Sequence, residues 1–185
     1  MAEFALGRSC AREALQALGA ALAGIGIGQH REPLWPAGIV GSISHTAGIA
    51  VAAVAHADDF AGIGIDVEAA RVLDPGLASL VCRPGELQRA GSASHDEGLA
   101  ALLVFSAKEA VYKALWPILR CFLDFQDLEI MLDADLCSFR VRSHSPLCPP
   151  TLAAAVHGRT MLLEEGVAAA AWIPAPVPGS SLLPG

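Results

Sequence analysis

Lysine is nearly absent from this chain, which carries almost all of its fixed positive charge on arginine. Lys108 and Lys113 are the only lysines, and both lie in the stretch Phe105-Ser-Ala-Lys-Glu-Ala-Val-Tyr-Lys-Ala-Leu115. A lysine ammonium is a compact charge that can swing onto a phosphate oxygen, whereas a guanidinium is a flat, rigid fork. The placement of both lysines around Glu109 therefore indicates a task for which arginine is unsuited.

Positive charge of any kind is in short supply. The 185 residues have a formal net charge of −7, with 12 basic and 19 acidic side chains. Nucleic acids require a basic surface, so we expect no nucleic-acid partner, although a local basic patch would still accept a small acidic ligand. Because 54% of the residues are hydrophobic and only 17% are charged, the composition favours a folded core over disorder.

Several common signatures are also missing. The five cysteines are scattered without a C-x-x-C pair, which favours reduced thiols over disulfides or zinc, and no G-x-S-x-G elbow of a serine hydrolase occurs. The N-terminus lacks the basic region of a signal peptide. Residues 33–57, the longest stretch without Asp, Glu, Lys or Arg, contain Pro36 and several glycines and cannot supply the ~20 apolar residues of a membrane helix. We expect a soluble, cytoplasmic protein with no transmembrane segment.

Hydrophobic periodicity predicts an α+β fold with mostly antiparallel strands. Residues 8–22 have the rhythm of an amphipathic helix, and another helix is predicted over 106–115, ended by Pro117. Strands at 49–55 and 61–67 are predicted to form a hairpin. The remaining predictions are a helix at 77–87 broken at Pro84, strands at 128–132, 139–141, 151–156 and 167–173, loops at 91–98 and 143–150, and a disordered tail from Pro174.

Two carboxylates end the apolar run Gly62-Ile-Gly-Ile-Asp-Val-Glu68. Asp66 and Glu68 are two apart on a predicted strand, so their side chains face the same side. Together with Glu109 from a helix, they form an oxygen ligand set that suits Mg²⁺ holding a phosphate. The same pattern is also typical of a strand that runs out into solvent, where acidic side chains have no function.

The lysine stretch has two further interpretations that need no catalysis. Ser106 and Glu109 have the spacing of a capping box at the start of a helix. Glu109 and Lys113 are four residues apart, which is typical of a weak surface ion pair. Upstream, the hydroxyls and imidazole of Gly41-Ser-Ile-Ser-His45 are able to receive phosphate oxygens, although a lone histidine is more often structural.

In this order, the two main motifs resemble the signatures of the surfactin-type 4′-phosphopantetheinyl transferases. The upstream segments Gly7-Arg-x-x-Ala-Arg12-x-Ala-Leu15, Arg31-x-Pro-x-Trp-Pro36 and Gly41-Ser-Ile-Ser-His45 are similar to the branch that includes the enterobactin synthetase component D. The resemblance covers roughly residues 2–130. It implies Mg²⁺-dependent transfer of the phosphopantetheine arm of coenzyme A to a serine of an acyl or peptidyl carrier protein. Adenosine 3′,5′-bisphosphate is the expected product, and siderophore, polyketide, nonribosomal peptide and fatty acid synthesis all stay open as the pathway of the carrier.

The resemblance also implies a fold and a set of site residues. The fold is a monomer with two α+β halves related by a pseudo-twofold axis, here 1–98 and 99–173 followed by a tail at 174–185, with the active site in the cleft between the halves. The implied metal ligands are Asp66, Glu68 and Glu109, and the implied catalytic residues are Glu109 and Lys113. The implied coenzyme A-binding residues are Arg8, Arg12, Arg31, Ser44, His45, Lys108 and Lys113.

Three other functions stay open at this stage. The first is a truncated, inactive homologue that only binds coenzyme A or a carrier protein, because few residues precede Arg8 where members of the family usually carry a longer segment. The second is an α+β interaction protein whose charged motifs only cap and pair. The third is an unrelated metal-dependent phosphoesterase that acts without a carrier protein.

Overall fold

The computed structural model describes residues 2–21, 24–71, 73–94, 96–177 and 182–183, and it confirms the α+β class. The helices are α1 (Ala2–Ala17), α2 (Pro75–Val81), α3 (Pro84–Ser94), α4 (Glu97–Leu119) and α5 (Pro150–Ala154). The strands are β1 (Gly26–Ile27), β2 (Pro33–Leu34), β3 (Ile39–Thr46), β4 (Ile49–His56), β5 (Phe60–Ala69), β6 (Leu128–Leu132), β7 (Ser138–Ser143), β8 (His157–Leu163) and β9 (Gly166–Pro174). A short 3-10 helix spans Phe125–Asp127.

Strands β5 to β9 form one five-stranded antiparallel sheet in the order β5-β9-β8-β7-β6. The predicted hairpin of residues 49–55 and 61–67 is wrong in its pairing, because β4 pairs with β3 and β5 pairs with β9. The turn between β3 and β4 explains the difference. Ala47 and Gly48 both have positive φ, at 45° and 85°, and such tight turns match the twist of a two-stranded hairpin.

Helix α4 is more than twice as long as the predicted helix 106–115. It begins after Asp96, whose carboxylate accepts hydrogen bonds from the backbone N–H groups of Gly98 and Leu99 at 2.9 and 3.1 Å. The capping box at Ser106 is therefore wrong, since Ser106 lies fully buried in the middle of the helix. Pro117 does not end the helix either, since α4 continues beyond it to Leu119.

Two glycines allow the backbone of α4 to lie directly on β5. A Cβ atom at Gly62 would stand 2.0 Å from the carbonyl oxygen of Ala114, and one at Gly64 would stand 1.8 Å from that of Ala110. Any side chain at these positions would collide with the helix backbone. The close approach brings the charged residues that follow Gly64 on β5 next to those on the same turns of α4.

Several predicted boundaries differ from the structure. The predicted strand 151–156 is wrong, since Pro150–Ala154 form α5: prolines at 149 and 150 fix the backbone for a helix start, and Leu152 is buried. The predicted loop 91–98 is wrong, since α3 continues to Ser94 and α4 begins at Glu97. Helix α1 starts before the predicted residue 8, and Leu22 lies outside the described residues. The strand at 128–132, the strand at 167–173 and the break at Pro84 are confirmed.

The core lies between α4 and the inner face of the five-stranded sheet, where Val104, Val111, Ile130 and Ile173 are each at most 1% exposed. The sheet contains β5 from the predicted first half as well as β6 to β9 from the predicted second half. The division into two pseudo-twofold halves stays a prediction. Residues 178–181 and 184–185 of the predicted tail lie outside the described residues. In the part of the chain that the structure describes, no helix is both long enough and apolar enough to cross a membrane.

Candidate active site

Asp66 is the centre of a buried polar cluster formed by β3, β5 and α4. The residue is 3% exposed, and its Oδ1 accepts hydrogen bonds from Ser44 Oγ at 2.8 Å and from Lys113 Nζ at 2.7 Å. Its Oδ2 is buried and has no hydrogen-bond partner. Asp66 thus does not lie on a strand that runs into solvent. A buried carboxylate oxygen without a partner is costly, which indicates that a ligand completes the site.

Ser44 and Lys113 fix the geometry around this carboxylate. Ser44 Oγ accepts hydrogen bonds from the backbone N–H of Val67 and from Lys113 Nζ, both at 3.4 Å. Lys113 Nζ also donates to the carbonyl oxygen of Ile65 at 3.3 Å. Lys113 therefore does not form the predicted surface ion pair with Glu109 but reaches across to β5, where its side chain stays 26% exposed.

The other two predicted metal ligands share the electrostatic field of Asp66. Burial raises the pKa of Glu109; Lys113 lowers it, and the negative charge of Asp66 raises it. Burial also raises the pKa of Glu68, as do the charges of Asp66 and Glu109. Glu68 forms an ion pair with Arg71 at 3.2 Å. The charge of Asp66 thus raises the proton affinity of both glutamates, and a field of this sign also favours a bound cation.

These residues fit a divalent metal ion in charge and chemistry. Mg²⁺ prefers a few carboxylate oxygens and completes its octahedron with water and substrate phosphates, and the unpartnered Oδ2 of Asp66 offers one such oxygen. Among the described residues, no three acidic, histidine or cysteine side chains already stand close enough to hold a metal ion. The ligand set of Asp66, Glu68 and Glu109 thus stays a prediction that their chemistry supports.

A cleft of about 490 Å³ opens beside Lys113, between α4 and the segment that contains β2 and β3. Its walls combine cationic and aromatic side chains from the two sides, namely Arg31, Lys113 and Arg120 with Trp35, Tyr112 and Trp116. Glu32 also lines it, 3.9 Å from Arg120. The indole Nε1 of Trp116 is buried without a hydrogen-bond partner. Guanidinium groups bind phosphates well, and flat rings stack on other rings, so the cleft suits an anionic ligand with an aromatic group.

A second cleft of about 170 Å³ lies on the other side of Tyr112. Glu109 borders it together with an apolar wall that includes Phe122, Leu123 and Phe125. Glu109 and Lys113 thus face different clefts, and Tyr112 borders both.

Lys108 does not join this cluster. Its side chain is 2% exposed, its Nζ pairs with Glu86 at 2.9 Å, and it donates to the carbonyl oxygens of Val81 and Phe125 at 2.8 and 2.7 Å. These contacts use the three N–H groups of the ammonium. They hold α4 against α2, α3 and the 3-10 helix, and they give no support to the predicted binding of coenzyme A by Lys108.

The remaining predicted coenzyme A residues lie nearer the N-terminus. Arg8 donates to the carbonyl oxygens of Ile25 and Gly26 at 2.9 and 3.0 Å, and burial lowers its pKa. His45 Nδ1 lies 3.4 Å from a carboxylate oxygen of Glu3, and Arg12 is exposed on α1. Of the predicted anion-binding arginines, Arg31 is the one that lines the larger cleft.

The sequence motifs did not point to the aromatic wall of the cleft or to two charged partners, Arg71 and Glu86. The cleft residues at positions 112, 116 and 120 follow each other at four-residue spacing. Helical periodicity therefore places Tyr112, Trp116 and Arg120 along one side of the helix, next to Lys113. Arg71 is three residues after Glu68, but the structure was needed to show the ion pair. No sequence signal pointed to Glu86, because its partner Lys108 lies in a different helix.

Comparison with known proteins identifies the class to which this fold and this cluster belong. The model of the 4'-phosphopantetheinyl transferase superfamily matches residues 62–156, which include Asp66, Glu68, Glu109 and Lys113. The model of the 4'-phosphopantetheinyl transferase N-terminal domain matches residues 1–55. The chain belongs to the 4′-phosphopantetheinyl transferase superfamily, as its motifs predicted.

Two curated relatives give the scale of the similarity. The 4'-phosphopantetheinyl transferase Npt of Nocardia iowensis is 40% identical over 136 residues, which cover 72% of this chain and 60% of that protein. Enterobactin synthase component D of Salmonella typhi is 40% identical over 115 residues, covering 61% of this chain and 47% of that protein. This chain thus spans between about half and three fifths of the length of these relatives. The holo-ACP-synthase of Plasmodium yoelii superposes on 64% of this chain and 97% of its own, with a TM-score of 0.49 and 18% identity.

Proposed function

We propose that this chain transfers the 4′-phosphopantetheine arm of coenzyme A to a serine of an acyl or peptidyl carrier protein, in a reaction that depends on Mg²⁺. The observation that carries the proposal is the buried carboxylate of Asp66, which binds Ser44 and Lys113 beside a cationic cleft and has one oxygen without a partner. The relatives named as phosphopantetheinyl transferases support the same reaction.

Coenzyme A binds in the larger cleft in this proposal. The aromatic and cationic walls suit its nucleotide and diphosphate. Lys113 lines the cleft and contacts Asp66, so it would hold the diphosphate next to the carboxylates. Arg31 lines this cleft and Ser44 contacts Lys113, whereas binding by Arg8, Arg12 and His45 rests on the family resemblance alone. Asp66, Glu68 and Glu109 would hold Mg²⁺, which when bound supplies a Lewis acid and a template for the diphosphate.

The transfer itself is a displacement at phosphorus. The serine hydroxyl of the carrier attacks the β-phosphorus that bears the pantetheine arm. The bond from this phosphorus to the bridging oxygen breaks, and adenosine 3′,5′-bisphosphate leaves with that oxygen. Glu109 accepts the serine proton, directly or through a water, because its raised pKa makes it a better base than an ordinary glutamate. Lys113 offsets the negative charge that grows on the transferring phosphoryl group.

Replacement of Glu109 by glutamine tests this assignment. We expect Glu109→Gln to lower the rate of transfer by about 100-fold or more, which is the usual contribution of a positioned base, with an unchanged circular dichroism spectrum. The matched control is Glu97→Gln, which changes an exposed glutamate at the start of the same helix and should keep the wild-type rate.

Two other outcomes would change the assignment. Equal rates for the two variants would exclude Glu109 as the base. A wild-type chain that binds coenzyme A but modifies no carrier protein would instead support the inactive, binding-only homologue.

A further inference from the structure

The two predicted metal ligands on β5, Asp66 and Glu68, are each already paired with a positively charged side chain of this protein. Lys113 Nζ lies 2.7 Å from Oδ1 of Asp66, and a guanidinium nitrogen of Arg71 lies 3.2 Å from a carboxylate oxygen of Glu68. Two carboxylates therefore face two internal cations, and the two pairs together retain little net charge to attract a free metal ion.

The two cations are able to leave, whereas Asp66 is fixed. The side chain of Lys113 is 26% exposed and lines the large cleft, and that of Arg71 is 55% exposed. Asp66 is held by Ser44 Oγ at 2.8 Å, and its Oδ2 stays buried and unpartnered. An anionic diphosphate in the cleft would offer Lys113 a partner of higher charge than a single carboxylate. Arg71 does not line the cleft, but its exposed side chain would gain the same partner by turning from Glu68 toward the diphosphate.

We propose that Lys113 and Arg71 are internal counter-ions, which occupy Asp66 and Glu68 in the free protein and move to the diphosphate of coenzyme A when it binds. This inference rests on the proposed function. It assigns Arg71 as a further diphosphate-binding residue. It also makes the binding of metal and coenzyme A mutually dependent, because an anion that removes the counter-ions exposes two carboxylates to the metal. By thermodynamic linkage the metal must then strengthen coenzyme A binding by the same factor.

Metal affinity measured without any turnover tests the inference. The probe is Mn²⁺, a spin-active substitute for Mg²⁺, and free Mn²⁺ is counted by electron paramagnetic resonance with and without saturating coenzyme A. A blank of coenzyme A with Mn²⁺ corrects for binding in solution. Wild-type protein should bind Mn²⁺ at least about fivefold more tightly with coenzyme A than without it, a coupling at the lower end of the usual range.

Variants that lack one of the two counter-ions should bind the metal even when coenzyme A is absent. We expect Lys113→Met and Arg71→Met to bind Mn²⁺ more tightly than wild type in the absence of coenzyme A, with a smaller gain on its addition. The matched control is Arg140→Met, which removes one positive charge from an exposed arginine paired with Asp133 and should behave as wild type. Arg71 is exposed enough that its variant should fold even if Lys113→Met does not.

The outcomes separate the inference from the proposed function. If Lys113→Met and Arg71→Met bind Mn²⁺ no more tightly than wild type and Arg140→Met, the counter-ion role is overturned. If the wild-type chain binds no coenzyme A with or without Mn²⁺, the proposed function fails, while the metal-only comparison still decides whether the cations compete with metal.

Discussion

Asp66 receives hydrogen bonds from two elements other than its own strand. Ser44 approaches from β3 and Lys113 from α4, so one buried carboxylate joins three elements. A buried charge is tolerated only when it is paired and hydrogen-bonded, and these two contacts satisfy one of its oxygens. The second oxygen lacks a partner, and this incompleteness is what we expect of a binding site rather than of a purely structural ion pair.

Removal of the Ser44 hydroxyl should affect both stability and activity. Ser44→Ala leaves Oδ1 of Asp66 without one donor and Lys113 without one acceptor, so we expect the free energy of unfolding to fall by about 1–3 kcal/mol. The affinity for coenzyme A should fall as well, because Asp66 and Lys113 lose their alignment. Urea unfolding and a fluorescence titration with coenzyme A measure the two effects.

Ser138 provides the matched control for Ser44. Ser138 lies on β7, and its hydroxyl also donates to a carboxylate, that of Asp133 at 2.7 Å. Ser138→Ala should therefore lose stability through a similar contact and keep its affinity for coenzyme A. A parallel loss of affinity in both variants would show that the effect of Ser44→Ala comes from stability alone.

At the scale of elements, the site depends on the packing of α4 against β5. The absence of side chains at Gly62 and Gly64 lets the backbones meet, and this contact sets the position of Glu109 and Lys113 relative to Asp66. The motif 62–68 on β5 and the motif 105–115 on α4 thus also supply the two surfaces that pack together. The glycines of the first motif let α4 come close enough to bring Glu109 and Lys113 next to Asp66.

An added methyl group at this contact should separate the elements. Gly64→Ala places a Cβ atom 1.8 Å from the carbonyl oxygen of Ala110, and backbone cannot rotate away as a side chain can. We expect a loss of roughly 1–3 kcal/mol or more in the free energy of unfolding, measured by urea denaturation, with reduced transfer in the fraction that folds. Gly24→Ala, where a Cβ meets nothing within 4 Å, should stay close to wild type. Equal stability of the two variants would contradict the packing.

The sequence predicts the site residues on these two elements, but neither the extent of α4 nor the strand that pairs with β5. Motif spacing identified four site residues, namely Asp66, Glu68, Glu109 and Lys113. Asp66 and Lys113 are in direct contact. The extent of α4 was missed because Asp96, an ordinary polar residue in a predicted loop, provides its N-cap. Local signals such as capping or proline position have many equivalent solutions, and tertiary packing chooses between them.

For the whole molecule, the strand order was not accessible from sequence. The partner of β5 is β9, about a hundred residues later in the chain, and hydrophobic alternation carries no information about such pairings. The large cleft escaped prediction for the same reason, because its walls come from residues 30–43 and from residues 112–120. The class of fold and the family could be predicted, since composition and ordered motifs determine them without any knowledge of pairing.

A charge cluster beyond the active site joins α3, β6 and the residue that follows β7. Glu129 on β6 contacts Arg89 on α3 at 2.6 Å and His144, just after β7, at 2.8 Å. The pKa of Glu129 is lowered, and the hydrogen bond with His144 is the largest cause. Burial acts in the opposite direction, and the hydrogen bond with Arg89 lowers the pKa further. The ionised carboxylate is therefore stabilised in the folded protein.

The pH dependence of stability follows from the direction of this pKa shift. A carboxyl group with a lowered pKa contributes stability above its unfolded pKa, near 4.5, and loses that contribution as the pH falls through its folded pKa. We expect Glu129→Gln to be less stable than wild type at pH 7 by about 1–3 kcal/mol. The difference should shrink below about pH 4.5. Thermal unfolding across this pH range checks the prediction, with Glu13→Gln, an exposed residue of α1, as the control. A difference that stays constant with pH would contradict it.

The most direct test of the proposed function is the intact mass of an apo carrier protein after incubation with this chain, coenzyme A and Mg²⁺, with a parallel sample in EDTA. Transfer of one phosphopantetheine arm predicts a gain of about 340 Da that disappears in EDTA. No gain in any of several acyl and peptidyl carrier proteins, from a folded chain that still binds coenzyme A, would contradict the transferase function.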